Sequence, residues 1–349
     1  MGNINFIHGG NIYEVKRRFK KEVIDFSANI NPLGLTKAVK KELSKCYRLI
    51  PHYPDPEAKD LIRQIAEYWK VEEQNILIGN GSTELIYLIA HTFKPEKTLI
   101  PVPTFSEYER AVKSVRSKNV FLKLKEKDSF TLNITNSHRA DISFISNPNN
   151  PTGRLLIKDQ RLDILKSKLN VIDETFMDFL PDEKSHTLIW KAIKDKRIIV
   201  LRSFTKFFAL PGLRIGYLIA HKDLIKRSKQ VQPPWSVNSI AQSLAKILLN
   251  DKDYIERTRS FINKEREFLF KELSKIKALR PYPSLANFLL VKILDGRISS
   301  SILTGKLIQK GILIRDCSNF RGLNGRYFRV AVRTHKENIK LINALREVL

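Results

Sequence analysis

Short apolar runs recur through the middle of the chain, each closed by a polar or glycine-bearing turn. Residues 76–78, 98–102, 142–145, 171–172, 198–201 and 213–220 carry almost no polar alternation. That pattern predicts strands buried on both faces, as in the largely parallel sheet of an α/β fold. Elsewhere the apolar spacing changes to three and four. Helices are predicted over residues 36–46 with Thr36 as N-cap, about 57–69, from Ser82 through Ile89, from about Ser106, and over 236–249, 253–277 and 335–349. The helix at 253–277 is long and charged, and reads as the passage from a large domain into a smaller one. Strands at 286–293, 312–314 and 327–332, with a helix between the first two, supply the second domain's sheet.

The chemistry sits where the runs end. After 197–202 comes Ser203-Phe204-Thr205-Lys206-Phe207-Phe208, and then Pro211-Gly212-Leu213-Arg214. A lysine among aromatics loses hydration, which lowers its pKa and suits it to Schiff-base chemistry with a carbonyl. Ser203 and Arg214 are a hydroxyl donor and a fixed cation, a natural pair for phosphate. Taken alone, the stretch also reads as a basic loop. Asn75 to Glu84 reads as a strand, a glycine turn and a helix N-terminus, whose open N–H groups attract phosphate. Asp173 closes another run and faces the crevice where open α/β sheets bind ligands. Arg315 and Arg329 lie on or beside half-buried strands, and a guanidinium there calls for a carboxylate or phosphate.

Composition narrows the class. The chain of 349 residues can bury a core spread over two or three lobes. Its 42% hydrophobic and 28% charged content are ordinary for a soluble globular protein. No apolar run approaches the ~18 residues of a membrane span. Residues 1–5 lack the basic-then-apolar pattern of a leader, so a cytoplasmic protein is expected. Two cysteines, Cys46 and Cys317, can form neither a disulfide framework nor a four-ligand zinc site, and no metal is expected. The net charge of +26 raises the possibility of a nucleic-acid partner on an inactive enzyme scaffold. Against it, the lysines are spread over nearly every predicted helix, and the densest cluster, residues 16–21, reads as a solvated helix face.

Taken in order, Gly81-Ser82-Thr83, Asn147-Pro148-Asn149-Asn150-Pro151-Thr152-Gly153, Asp173, Lys206 and Arg214 resemble the fold-type-I family of pyridoxal-phosphate enzymes, the aspartate-aminotransferase-like superfamily. The resemblance implies a large domain with a mostly parallel seven-stranded sheet plus a smaller α/β domain. It divides the chain into an arm and part of the small domain at 1–45, a cofactor-binding domain at 46–250 and a small domain at 251–349. It also implies pyridoxal 5'-phosphate held by Lys206, with the phosphate cradled by Gly81, Ser82, Thr83, Ser203 and Arg214. Phe105 would stack on the pyridine ring, Asn150 would bond the 3-hydroxyl, and Asp173 would pair with the ring nitrogen. Tyr53 matches a residue that reaches the partner subunit's cofactor phosphate in a homodimer; simple turn packing explains it equally well from sequence.

Within the superfamily, His8-Gly9-Gly10-Asn11 together with Asp25-Phe26-Ser27-Ala28-Asn29-Ile30-Asn31-Pro32-Leu33-Gly34 resembles the L-threonine-O-3-phosphate decarboxylases of cobalamin biosynthesis. The nearest relatives of that branch are the histidinol-phosphate aminotransferases, which give the alternative reading. Many aminotransferases place a tyrosine three residues after the Asp; Phe176 stands there, as in the decarboxylase branch. By this resemblance Arg329 binds the substrate carboxylate, His8 and Arg315 read a substrate phosphate, and Asn29 joins the substrate site. The implied substrate is L-threonine O-3-phosphate or L-serine O-phosphate, which a single methyl group separates.

Overall fold

A computed structural model describes residues 8–132, 140–158, 160 and 167–349. The leader reading at residues 1–5 and the first residues of the arm lie outside these. The six apolar runs form six strands of one seven-stranded sheet, and the seventh, the partly exposed edge strand Lys118–Lys123, is not among them. The sheet's spatial order is Ile76–Gly79, Gly216–Ala220, Ile198–Ser203, Leu169–Asp173, Ile142–Ser146, Lys97–Val102 and Lys118–Lys123. All pairings are parallel except those of Gly216–Ala220, which runs antiparallel to both neighbours.

The first five strands in that order are buried at every residue, which is why they carry no polar alternation. Their side chains alternate between two cores. Leu77, Phe144, Val171, Leu201 and Leu218 face the helices Gly81–Phe93, Ser106–Ser114 and Lys222–Lys229. Ile76, Ile145, Ile172, Val200 and Ile219 face the other way, against Leu61, Ile65 and Trp69 of helix Lys59–Trp69 and Leu244 of helix Ser239–Leu248. Parallel strands end on one edge, so Gly79, Val102, Ser146, Asp173 and Ser203 all deliver their following turns to the same crevice.

The second sheet is antiparallel, in the order Arg315–Asp316, Tyr327–Ala331, Phe288–Ile293 and Leu279–Pro281. Helices Ser300–Gln309 and His335–Val348 accompany it, the latter opened by a capping box of Thr334 and Glu337. The arm joins this unit: Ile24–Asp25 pairs in parallel with Ile312–Leu313. Helix Lys252–Ser274 packs on strands Leu279–Pro281 and Phe288–Ile293 of the second sheet and on residues Met177–Phe179 of the first unit, and so links the two. Thr36 caps helix Lys37–Leu43 by accepting from the Val39 N–H.

A half-buried clamp at the sheet edge ties the units together. Glu126, from the large sheet's edge, accepts from Lys292 at 2.8 and 2.9 Å and from the Tyr327 hydroxyl at 2.7 Å. Burial raises the Glu126 pKa, but the bonds from Lys292, Tyr282 and Tyr327 outweigh it and hold it at about 2. A folded pKa below the ordinary 4.5 adds stability that is complete above 4.5 and lost as pH falls toward 2. Denaturation of wild type and Glu126→Gln between about pH 6 and about pH 3 is expected to show a stability gap that narrows on acidification. A gap that stays constant over that range would show that Glu126 is not held in this way.

Candidate active site

The crevice at the carboxyl edge is a cavity of about 640 Å³ between the two units. Lys206 lies in the turn after strand Ile198–Ser203 and lines it. Its backbone is clamped by the arm: Asn31 N–H donates to the Lys206 carbonyl at 3.0 Å, and Asn31 Nδ2 donates to the Phe207 carbonyl at 2.8 Å. Burial, then the charges of Arg329 and Arg214, lowers the Lys206 pKa to about 8. Phe204, Phe207 and Phe208 are core residues packed on one another and on Tyr217 and Tyr254. The two arginines therefore join dehydration in lowering the amine's proton affinity, which the aromatic flanks alone did not reveal.

Asp173 also lines the cavity, only 5% exposed. Its Oδ2 accepts from the Tyr108 hydroxyl at 2.7 Å and its Oδ1 from the Thr175 N–H at 2.9 Å. Burial raises its pKa, and among the described residues no cation forms an ion pair with it. Such a carboxylate is suited to receive a cationic N–H from a ligand. Phe105 lines the same space, edge-on to Tyr108 at 5.7 Å between ring centroids.

The end of the cavity at Gly81–Thr83 and Arg214, the predicted phosphate cradle, is built by close backbone approach. Helix Gly81–Phe93 has no side-chain cap from Asn80, so its first N–H groups are open to a ligand. Gly81 has φ +79°, and a Cβ there would stand 2.7 Å from Arg214 Nη2. A Cβ on Gly216 would stand 2.9 Å from the Ser82 nitrogen. Ser82, Thr83 and Arg214 line the cavity. Ser203 lies one layer back, its Oγ 2.7 Å from Thr205 Oγ1, and it is Thr205 that reaches the cavity. Gly81 likewise serves as backbone beneath Arg214.

The end of the cavity lined by Arg315 and Arg329 is the most unusual electrostatically. Arg315 and Arg329 occupy directly opposed positions on adjacent strands, each only 5% exposed. Like charges placed so repel. Arg329 donates to the Ser27 carbonyl at 3.0 Å and to Asn150 Oδ1, and it lies 5.0 Å over the Phe288 ring. Its Nε has no partner, and among the described residues no carboxylate forms an ion pair with it. Burial, opposed by Cys317 and reinforced by Arg315, lowers its pKa to about 10. Arg315 donates to Asn319 Oδ1 at 2.8 Å and lies over Phe320.

Asn29 lines the cavity with a buried Oδ1 that has no partner among the described residues. Phe176 lines it too, edge-on to Phe288. His8 stands at the mouth, held there because Gly9 packs where a Cβ would lie 2.1 Å from the Ser27 carbonyl oxygen.

The predicted set thus converges on one cavity, except Gly81 and Ser203 behind it and Tyr53. Tyr53 is 82% exposed and stacks on Trp235 outside the cavity. Sequence reasoning missed Tyr108, Thr205, Asn319 and Glu107. Tyr108 and Thr205 had a signal, one following Phe105 by a helical turn and the other between two singled-out residues.

The family model for aminotransferase class I and II matches residues 21–345. The chain belongs to that family. This aminotransferase-family chain is 41% identical to a Caldanaerobacter subterraneus protein provisionally named threonine-phosphate decarboxylase, covering 97% of this chain and 93% of that one. It is 37% identical to the threonine-phosphate decarboxylase of Salmonella typhimurium, covering 100% of this chain and 98% of that one. Two solved structures superpose equally well. The histidinol-phosphate aminotransferase of Clostridium acetobutylicum has a TM-score of 0.83 at 34% identity, with 93% and 98% of the chains covered. The L-threonine-O-3-phosphate decarboxylase of Porphyromonas gingivalis has a TM-score of 0.83 at 29% identity, again with 93% and 98% covered. The backbone is common to both activities, so the side chains of the site must choose between them.

The residues present fit pyridoxal phosphate. The glycine cradle beneath Ser82 and Arg214 fits its phosphate, the uncompensated Asp173 its ring nitrogen, and the low-pKa Lys206 its carbonyl. Borohydride treatment of the cofactor-loaded protein, followed by peptide mapping, is expected to fix the cofactor to Lys206. Lys206→Ala should fold with an unchanged melting temperature and lose turnover entirely; label on another lysine would overturn the assignment.

Proposed function

We infer that this chain is a pyridoxal-phosphate-dependent decarboxylase of a phosphorylated hydroxy amino acid, L-threonine O-3-phosphate or L-serine O-phosphate. Its product would be an amino alcohol phosphate for the nucleotide loop of a cobamide. The observation that carries this reading is the pair Arg315 and Arg329, buried, opposed in register and joined at the cavity by His8. A single substrate carboxylate does not need so much positive charge. A molecule bearing a carboxylate at one end and a phosphate at the other does. In the alternative reading no one substrate bears both groups: histidinol phosphate has a phosphate but no carboxylate, and 2-oxoglutarate has two carboxylates but no phosphate. The 41% and 37% identities to proteins bearing the decarboxylase name support the same choice.

Pyridoxal phosphate, when bound, supplies a sink for the electron pair left at the substrate α-carbon. The chain's own residues decide which bond gives up that pair. Arg329 grips the carboxylate, and Arg315 with His8 grips the phosphate, so the substrate is fixed at both ends. Holding the substrate at both ends would present its α-carboxylate rather than its α-hydrogen for cleavage, with carbon dioxide as the leaving group and the bound cofactor taking up the electron pair. Asp173, a buried carboxylate lining the cavity, would hold the proton on the ring nitrogen. Lys206, with a pKa of about 8, carries a proton at Nζ near neutral pH and can deliver it to the α-carbon. Phe176 presents no hydroxyl to the cavity, where many aminotransferases have a tyrosine.

Arg315→Ala and His8→Ala are expected to lower kcat/KM for the phosphoamino acid by roughly ten- to a hundredfold and to leave the unphosphorylated amino acid nearly unaffected. Equal losses on both would show that these residues do not read the phosphate. Both phosphoamino acids should be assayed for carbon dioxide release. Amino transfer from histidinol phosphate to 2-oxoglutarate, with no carbon dioxide from either phosphoamino acid, would overturn the reading.

The proposed assembly is a homodimer. Tyr47, Ile50, Tyr53 and Trp235 expose a cluster of large apolar side chains, at 63%, 70%, 82% and 48%, that a partner subunit would cover. Sedimentation at assay concentration is expected to give a dimer, and an active monomer would refute this.

A further inference from the structure

A carboxylate lines the cavity mouth, in a site otherwise built to attract anions. Glu107, in the first turn of helix Ser106–Ser114, is only 6% exposed. A bare carboxylate there would repel a substrate phosphate, yet every donor facing Glu107 is committed to it. His8 Nε2 lies 3.0 Å from Oε1, Arg110 Nη1 donates to the same oxygen at 3.0 Å, and the Tyr87 hydroxyl donates to Oε2 at 3.2 Å. The His8 bond is the largest influence holding the Glu107 carboxyl below its ordinary pKa, against the opposing effect of burial. An ionised Glu107 fixes the proton of that contact on His8 Nε2. Among the described residues, His8 Nδ1 makes no hydrogen bond.

The segment bearing His8 is anchored from behind as well. Gly10 N–H donates to Ser27 Oγ at 2.7 Å, and Gly9 packs against the Ser27 carbonyl, the oxygen that also receives Arg329. His8 is nonetheless 44% exposed, and an exposed ring with only this backbone anchor would rotate freely. Glu107 is the contact that removes this freedom.

We propose that Glu107 is a positioning residue for recognition of the substrate's phosphate: it holds His8 by Nε2–H, so that Nδ1–H of the doubly protonated ring is the donor left to meet the phosphate. Arg110, bonded to the same oxygen, keeps the pair's local charge positive. This rests on the phosphate-reading role given to His8 above, and the test separates the two. The ratio of kcat/KM for threonine phosphate to that for threonine is measured in wild type, His8→Ala, Glu107→Ala, Glu107→Gln and the double variant His8→Ala/Glu107→Ala. Retention of the cofactor's visible absorbance confirms that each variant is loaded.

The expected result is that Glu107→Ala lowers the ratio about tenfold or more, through KM rather than kcat. Glu107→Gln, whose amide oxygen still accepts from Nε2, should restore much of the loss. The double variant should be no worse than His8→Ala, because the two residues act as one unit. If His8→Ala lowers the ratio while Glu107→Ala leaves it unchanged, or if the losses simply add, the inference about Glu107 fails and the phosphate site stands. If His8→Ala itself leaves the ratio unchanged, the phosphate role of His8 fails, and the Glu107 proposal with it.

Discussion

The carboxyl edge of the large sheet is assembled around one buried cation. Arg202 is fully buried at the end of strand Ile198–Ser203, next to Ser203 and four residues before Lys206. It meets Glu174 at 3.1 Å, Asp178 at 3.0 Å and Glu183 at 3.2 Å, and it lies 4.6 Å from the Trp69 ring. Arg259, on the helix that links the two units, shares Glu183 and donates to the Asp178 carbonyl. Buried ion pairs gain little over well-packed apolar residues, but removing one partner leaves uncompensated charge and costs about 3–5 kcal/mol. The network therefore defines geometry more than it adds stability. Glu174 and Arg202 each neighbour a residue of the site, so fixing them fixes the backbone that presents Asp173 and the Lys206 turn.

This division of labour is visible along each strand. Successive residues point to opposite faces, so Asp173 turns toward the cavity while Glu174 turns back into the charge network. The arm completes the arrangement from the far side, where Asn31 bonds the Lys206 and Phe207 carbonyls and also Tyr254 and Thr258 of the linking helix. Strand ends, arm and linking helix meet at one lysine, which explains why residues so distant in sequence are needed to place it.

The strands were legible because full burial on two faces leaves an unbroken apolar run. Lys206, Asp173 and Arg214 were legible because each closes or follows such a run in a fixed order. What stayed hidden is what depends on contacts between distant segments. Arg202 reads as the polar end of a strand, and nothing local shows that Glu174, Asp178 and Glu183 gather on it. Phe204, Phe207 and Phe208 suggested an apolar cage for Lys206, but they pack into the core, and Arg329, more than 120 residues away in sequence, is the stronger charge on the amine. Glu107 was invisible for a simpler reason: an acid in the first turn of a helix is ordinary, and only the fold brings His8 to it.

The charges in the cavity are coupled, and the coupling has a direction. After burial, the charges of Arg329 and Arg214 are what lower the proton affinity of Lys206. An anion seated on either arginine offsets that repulsion, so a carboxylate bound at Arg329 raises the affinity of Nζ for a proton. Loss of that carboxylate as carbon dioxide restores the repulsion and lowers the affinity again. Under the proposed reaction, Lys206 therefore holds its proton most firmly while the substrate carboxylate is in place, and most weakly just after the α-carbon has lost it. In the proposed reaction Arg329, buried and with no carboxylate partner among the described residues, would thus grip the substrate and also make the lysine's acidity depend on whether the leaving group is still present.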